Sequence, residues 1–106
     1  MNSHFEVPKE KIPGVGQRVF LKLGEQSIVL LNIENRLYAI DDRCPHQGAS
    51  LYSGKVEGCA IKCPAHGLCF NLDNGNMLDS ALLKLDTYTL EYVNERVYIV
   101  LNQEVQ

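Results

Sequence analysis

Two short segments in the middle of the chain carry the same unusual combination of residues. The first reads Cys44-Pro45-His46-Gln47-Gly48 and the second reads Cys63-Pro64-Ala65-His66-Gly67. In each segment a proline follows the cysteine and a glycine follows the histidine closely. Proline holds φ near about −65°, and glycine lets the backbone approach a bulky group without a Cβ in the way. The pattern therefore predicts two shaped loops that close on one centre.

The candidate ligands of that centre are Cys44, His46, Cys63 and His66. A structural zinc ion with two cysteine and two histidine ligands is one interpretation, although such sites usually place like ligands close together. A [2Fe–2S] cluster with two histidines on one iron is another, and the mixed arms favour it, because each arm can give its cysteine to one iron and its histidine to the other. The third interpretation is that these are ordinary core residues.

The residues on either side of the two segments have the alternation and the turn residues of β-strands. The predicted strands are Val19–Leu23, Ser27–Ile33, Arg36–Ile40, Tyr88–Val93 and Arg96–Leu101. Short pairs of turn residues separate them, as in an antiparallel meander followed by a hairpin. The sequence thus predicts an all-β scaffold whose central loops carry the function.

Composition narrows the class of protein further. The chain has 106 residues, of which 45% are hydrophobic and 22% are charged, as in a single globular domain. Its formal net charge of −3 and its lack of a long basic run argue against a nucleic-acid partner. We find neither an apolar run long enough for a membrane span nor the pattern of a signal peptide. We therefore expect a cytoplasmic protein that does not bind a membrane, with its four cysteines as ligands or free thiols.

At the two segments the sequence closely resembles the Rieske family, whose patterns are C-x-H-x-G-x-x-L and C-P-x-H-G-x-x-F. The matching residues are Cys44, His46, Gly48 and Leu51 in the first pattern, and Cys63, Pro64, His66, Gly67 and Phe70 in the second. The resemblance implies an antiparallel β sandwich or barrel with an inserted cluster-binding subdomain. We expect one domain over residues 1–106, with the subdomain at about 40–79 and a β base domain formed by 1–39 and 80–106.

The resemblance also implies one Rieske-type [2Fe–2S] cluster as the cofactor. The four candidate ligands would hold it, and the supporting residues would be Gly48, Leu51, Pro64 and Gly67. Because four protein ligands leave no open position for a substrate, we expect an electron carrier without catalytic residues of its own. Its implied partners are a flavin-dependent NAD(P)H reductase and a terminal oxygenase, which would dock transiently on a monomer at the tip formed by His46 and His66. The alternatives are a small subunit of a stable redox complex, as in nitrite reductase, and a structural or sensory module.

Two departures from the family pattern are visible. Ala49 and Ala65 stand where the respiratory relatives have a disulfide, and the segment Met77–Leu82 lacks the proline of many relatives. We expect no disulfide bridge and a lid over the cluster that is either differently shaped or more mobile than in those relatives.

Four further features of the sequence have ordinary structural interpretations. We expect Cys59, on the same side of a short strand as Ile61, to be a small core residue, and Cys69 also to be buried. His4 is predicted to be a solvated surface residue near the end of the chain. The run Asp41-Asp42-Arg43 is predicted to form a turn with a solvated face.

Overall fold

The computed structural model describes residues 2–45, 48–64, 67–78 and 83–102. Within these ranges the chain forms nine strands and a short 3-10 turn at Lys9–Lys11. The strands are β1 (Asn2–Glu6), β2 (Arg18–Leu23), β3 (Gln26–Ile33), β4 (Arg36–Asp41), β5 (Lys55–Glu57), β6 (Ala60–Lys62), β7 (Cys69–Asn71), β8 (Thr87–Val93) and β9 (Arg96–Asn102). No helix in the described ranges is long and apolar enough to cross a membrane.

The strands form two sheets in which every pairing is antiparallel. The larger sheet has the order β1-β9-β8-β4-β3-β2, and the smaller sheet has the order β5-β6-β7. The smaller sheet lies between β4 and β8 in the sequence, so it is an insertion into the larger one. The prediction of an all-β fold with an inserted segment is confirmed.

Two tight turns define the register of the larger sheet. Glu34 and Asn35 have φ of 53° and 71°, and Asn94 and Glu95 have φ of 50° and 67°. Consecutive positive φ angles match the twist of the flanking strands in a two-residue hairpin. Asparagine tolerates this conformation better than glutamate does. The predicted meander over β2, β3 and β4 and the predicted C-terminal hairpin are both confirmed.

Strand β3 is buried on both of its faces. Ile28 and Leu30 pack into a cluster with residues of β2, β4 and β9. Val29 and Leu31 point the other way, into a cluster that includes residues of the smaller sheet. A strand that is buried on both faces has consecutive apolar residues instead of an alternating pattern. Residues 28–31 are all apolar in the sequence.

The smaller sheet covers the second face of β3 with one row of side chains. Val56 pairs with Ile61, Ile61 with Phe70, and Phe70 with Met77. Ile61 and Phe70 are completely buried in the cluster that contains Val29, and the partly buried Val56 and Met77 pack against this cluster. This row, the inner row, is the apolar attachment of the insertion to the larger sheet.

A close backbone contact at Gly75 joins the turn after β7 to the chain that leads into β8. The Leu85 N–H donates to the Gly75 carbonyl over 2.7 Å, and Gly75 has a φ of 80°. A Cβ on Gly75 would collide with the Leu85 carbonyl oxygen, which is backbone and has little room to move. Only glycine therefore allows this approach.

We predict that Gly75→Ala lowers the free energy of unfolding by about 3 kcal/mol or more, because strain at positive φ adds to a backbone collision. The matched control is Gly16→Ala, since Gly16 also has a positive φ of 79° but open space around its Cα. The control should lose only about 1–2 kcal/mol. Urea denaturation of both variants measures the difference, and equal losses would contradict the steric explanation.

Candidate metal centre

The two predicted loops are closed by the same pair of backbone hydrogen bonds. In the first loop the Cys44 N–H donates to the Ala49 carbonyl over 2.8 Å, and the Gly48 N–H donates to the Cys44 carbonyl over 2.8 Å. In the second loop the Cys63 N–H donates to the Leu68 carbonyl over 2.7 Å, and the Gly67 N–H donates to the Cys63 carbonyl over 2.9 Å. Corresponding hydrogen bonds in the two loops span the same number of residues, so the two loops are closed in the same way.

The glycines of the two loops also share one backbone conformation. Gly48 has a φ of 74° and Gly67 a φ of 73°. An L-residue at either position would be strained, since a Cβ clashes with the backbone at positive φ. The glycine that ends each predicted segment is therefore required by the closure of its loop.

The structure places the two predicted cysteine ligands in one buried region. Cys44 is 2% exposed and Cys63 is 1% exposed, and both belong to the cluster that contains Leu51 and Phe70. The predicted ligands His46 and His66 lie outside the described residues, as do Gln47 and Ala65. The described part of the site is thus a pair of buried thiols at equivalent positions of two matched loops.

This arrangement fits a group that takes one soft ligand from each loop. Thiolates are protein ligands of zinc and of iron–sulfur clusters, and both buried cysteines lie in the same apolar cluster. Of the predicted supporting residues, Leu51 is completely buried against the two cysteines, whereas Gly48, Pro64 and Gly67 are exposed. The cysteines and Leu51 are buried, whereas the loop residues Gly48, Pro64 and Gly67 are exposed, so a group held by these loops would lie near the surface of the molecule.

Asp42 links the two ends of the first loop, a role that its sequence pattern does not indicate. It is 8% exposed, and its Oδ1 accepts hydrogen bonds from the Ser50 hydroxyl at 2.8 Å and from the Tyr52 N–H at 3.0 Å. Its carbonyl oxygen also accepts from the Leu51 N–H. The prediction of a solvated face for Asp41-Asp42-Arg43 is therefore wrong for Asp42, because its carboxylate is used to join the chain before the loop to the chain after it.

Arg18 holds the same loop to the larger sheet. Its Nη1 donates to the carbonyl oxygens of Tyr52 and Gly54 over 2.8 Å and 2.7 Å. The ring of Phe20, two residues along β2, meets the Tyr52 ring edge-on with centroids 6.3 Å apart. Strand β2 thus contributes both a guanidinium and an aromatic ring to the segment that follows the first loop.

The remaining cysteines and His4 differ in part from their predicted environments. Cys59 is exposed, because it lies in the turn between β5 and β6 and not in a strand, so the prediction that it is a core residue is wrong. Cys69 is only half-buried. His4 is exposed as predicted, but it lies in β1, and its Nε2 is 3.0 Å from Oε1 of Glu91. The predicted lid is described only at Met77, which bridges to Phe70, and at Leu78, because residues 79–82 lie outside the described ranges.

The fold and the matched cysteine loops define a class of protein in which two loops of a β scaffold hold a metal centre. Comparison with known families identifies it. The model of the Rieske [2Fe-2S] domain matches residues 3–89. The chain belongs to the Rieske [2Fe-2S] domain family, and a [2Fe–2S] cluster is the cofactor that this family implies.

Two relatives illustrate the range of proteins that carry this domain. The ferredoxin component of the naphthalene 1,2-dioxygenase/salicylate 5-hydroxylase systems of Ralstonia sp is 34% identical over 85 residues, which are 79% of this chain and 82% of the relative. Apoptosis-inducing factor 3 of Homo sapiens is 32% identical over 85 residues, but this match spans 79% of the chain and only 14% of the relative.

Solved structures share the fold over almost the whole chain. A complex of reduced oxygenase and oxidized ferredoxin in carbazole 1,9a-dioxygenase contains a chain with a TM-score of 0.75 and 27% identity, and the match covers 97% of both chains. A putative NADH-dependent nitrite reductase small subunit from Mycobacterium tuberculosis has a TM-score of 0.82 at 19% identity, covering 98% of this chain and 99% of the other. The second likeness concerns the fold alone.

We predict that Asp42→Ala lowers the free energy of unfolding by about 1–3 kcal/mol, because the Ser50 hydroxyl and the Tyr52 N–H lose their buried acceptor. Asp42→Asn should recover most of this loss, since the amide oxygen can still accept. The matched control is Asp73→Ala, which removes an equally short but exposed ion pair to Arg36 and should cost about 1 kcal/mol or less. Urea denaturation decides, and an equal effect of the two alanine variants would contradict this role.

Asp41, at the end of β4, is a second carboxylate beside the site. Burial raises its pKa above the ordinary value of 3.8, and Asp86 raises the pKa further, whereas a backbone hydrogen bond from Arg43 opposes the shift. The same surroundings raise the pKa of Tyr88 to about 12, through burial and through the charges of Asp41 and Asp86. The unfolded chain thus ionises Asp41 more easily than the folded chain does.

The stability of the protein should therefore depend on the charge of Asp41. Because the folded-state pKa is the higher one, the stabilising contribution of the protonated form is present below 3.8 and is lost as pH rises through the folded pKa. We predict that Asp41→Asn matches the wild type in acid and is more stable than the wild type at neutral pH. Urea midpoints across this range measure the effect, with the exposed Glu25→Gln as control. A difference that shrinks toward neutral pH would contradict the prediction.

Proposed function

We propose that this chain is a one-electron carrier that holds one [2Fe–2S] cluster through Cys44, His46, Cys63 and His66. The observation that carries the proposal is the pair of identically closed loops, which brings Cys44 and Cys63 into one buried cluster. Two equal loops with one thiol each suit a binuclear centre, in which the cysteines share one iron and the histidines share the other.

The residues of the chain hold and shield the centre and do not react with a substrate. When bound, the cluster supplies a site that gains and loses one electron. Cys44, His46, Cys63 and His66 would hold it, and with four protein ligands the centre would offer no open coordination position for catalysis. Leu51 and Phe70 exclude water from the cysteine side, and the hydrogen bonds of Asp42 and Arg18 keep the first loop in place.

The partners we propose are a flavin-dependent NAD(P)H reductase as donor and a terminal oxygenase as acceptor. Similarity to the ferredoxin component of the Ralstonia sp oxygenase systems supports this assignment, as does the 27% identity to the chain in the carbazole 1,9a-dioxygenase complex. Docking would be transient and would use a small interface at the tip formed by His46 and His66. The carrier would act as a monomer in the cytoplasm.

The proposed organisation is a single domain with its cluster-binding subdomain at about 40–79. The inserted three-stranded sheet and both cysteine loops fall inside this range. The chain spans only 14% of the length of the human relative, whereas it matches 82% of the Ralstonia sp ferredoxin component. The second correspondence favours the function of a ferredoxin component.

A stable small subunit of a redox complex is the second candidate function. We consider it because the chain shares the fold of the putative nitrite reductase small subunit. In a permanent complex the domain would be isolated together with its larger subunit, and reversible reduction of a free domain would have no role. Isolation of the chain alone, with a cluster that is reduced and reoxidised repeatedly, would favour the carrier.

We predict about two irons and two acid-labile sulfides per chain in the purified protein, with an EPR signal that appears on reduction with dithionite. Cys63→Ser should abolish the iron and the signal, because a buried ligand of the cluster is lost. Cys59→Ser is the matched control and should change neither, since Cys59 is an exposed thiol in a turn. Stoichiometric zinc in protein from an iron-replete host, or full iron content in Cys63→Ser, would disprove the assignment.

A further inference from the structure

The solvent-facing side of the small sheet carries one row of residues that we call the outer row. It consists of Lys55, Lys62, Cys69 and Leu78. Lys55 pairs with Lys62, Lys62 pairs with Cys69, and the Leu78 N–H donates to the Cys69 carbonyl over 3.1 Å. Directly paired residues of antiparallel strands project to the same face. The outer row therefore lies opposite the inner row, which is buried.

The outer row borders the second cysteine loop. Lys62 immediately precedes Cys63, and Cys69 immediately follows Leu68, whose carbonyl closes that loop. The Lys62 Cε lies 3.3 Å from the position that a Cβ on Gly67 would occupy, so its side chain runs along the loop. The pair Lys62–Cys69 is therefore the β6–β7 pair that directly adjoins the second loop.

The outer row carries two positive charges, of which only that of Lys55 has a carboxylate nearby among the described residues. Like charges directly across an antiparallel pair are destabilising, yet Lys55 faces Lys62. The Lys55 Nζ lies 3.8 Å from Oε1 of Glu57, and among the described residues no carboxylate lies within ion-pair distance of Lys62. The first loop has a similar neighbour, because the exposed Arg43 precedes Cys44, although Asp41 interacts with Arg43. Within the described ranges, therefore, no ion pair accounts for the placement of Lys62 beside a second cation.

An exposed apolar side chain completes the row. Leu78 is 55% exposed and stands next to Cys69. An apolar spot flanked by charges is the arrangement of a protein contact with a small core and a polar rim. The row adjoins the second cysteine loop, so a partner seated here would lie beside the proposed cluster site.

We propose that the outer row is the docking surface for a redox partner that presents carboxylates around an apolar spot. The inference rests on the proposed function and deepens it, because it states the charge of the partner's docking face. The formal net charge of the chain is −3, so its overall charge would repel such a partner. The local charge of the outer row determines the encounter, because salt screens charges that lie farther away than about 10 Å at 0.1 M ionic strength.

Small redox probes test the sign of the local charge without an identified partner. The reduced holoprotein is mixed by stopped flow with the trianion ferricyanide or with the trication tris(phenanthroline)cobalt(III). As ionic strength rises from about 0.1 M, where charges farther away than about 10 Å are already screened, to about 1 M, we expect ferricyanide to react at least about threefold more slowly, since the local electrostatic attraction is lost. The cobalt complex should react faster over the same range.

Lys62→Glu should remove most of this salt dependence, and the ratio of the two probe rates should shift toward the cobalt complex by about tenfold at the lower ionic strength. Lys22→Glu is the matched control, since it changes the net charge equally at an exposed position of β2 in the other sheet, and it should leave the ratio within about twofold. The ratio cancels any change in the potential of the cluster. Salt dependence of the opposite sign, or equal effects of the two variants, would overturn the inference. Absence of a reducible cluster would instead overturn the proposed function.

Discussion

Burial of β3 on both faces is the constraint on which the rest of the structure depends. Ile28 and Leu30 are covered by the larger sheet as it curls, but Val29 and Leu31 point away from that core. Burying an aliphatic side chain is worth about 1.5–3 kcal/mol, so the second face needs a cover. The inserted segment supplies it with Ile61 and Phe70, and the cysteines enter the same cluster. Assembly of the proposed cluster site is therefore coupled to the folding of the base.

The strands could be predicted from the sequence because alternation and turn residues are local signals. Residues 28–31 and the pair Glu34-Asn35 each identify their structure within a few positions. The prediction for Cys59 was wrong because it applied strand alternation to a residue outside the strand. Alternation applies only inside a strand, and β6 begins at Ala60. Gly58, with a φ of 59°, places Cys59 in the turn before it.

The two matched loops and the convergence of Cys44 and Cys63 could also be predicted, since cysteine, histidine, proline and glycine recur at close spacing in both segments. What the sequence could not reveal is how the first loop is held. Asp42 meets Ser50 and Tyr52 across the loop, and Arg18 reaches the same segment from a strand about thirty positions earlier. These residues are not neighbours in the sequence, and no periodic pattern of residue types indicates that they are in contact. The run Asp41-Asp42-Arg43 alone does not indicate which of its two carboxylates is buried, because the burial of Asp42 depends on its contacts across the folded loop.

One choice of register serves both stability and the proposed docking surface. Side chains alternate between the two faces of a sheet, so a slip of one residue in β6 would turn Ile61 to the solvent and Lys62 into the core. The buried cation alone would cost several kcal/mol, and Ile61 would lose its contacts with Phe70. The packing of the inner row therefore selects the register that exposes the two lysines. The net charge of the chain does not predict the local charge beside the second loop, because the local charge depends on which side chains of the small sheet face the solvent.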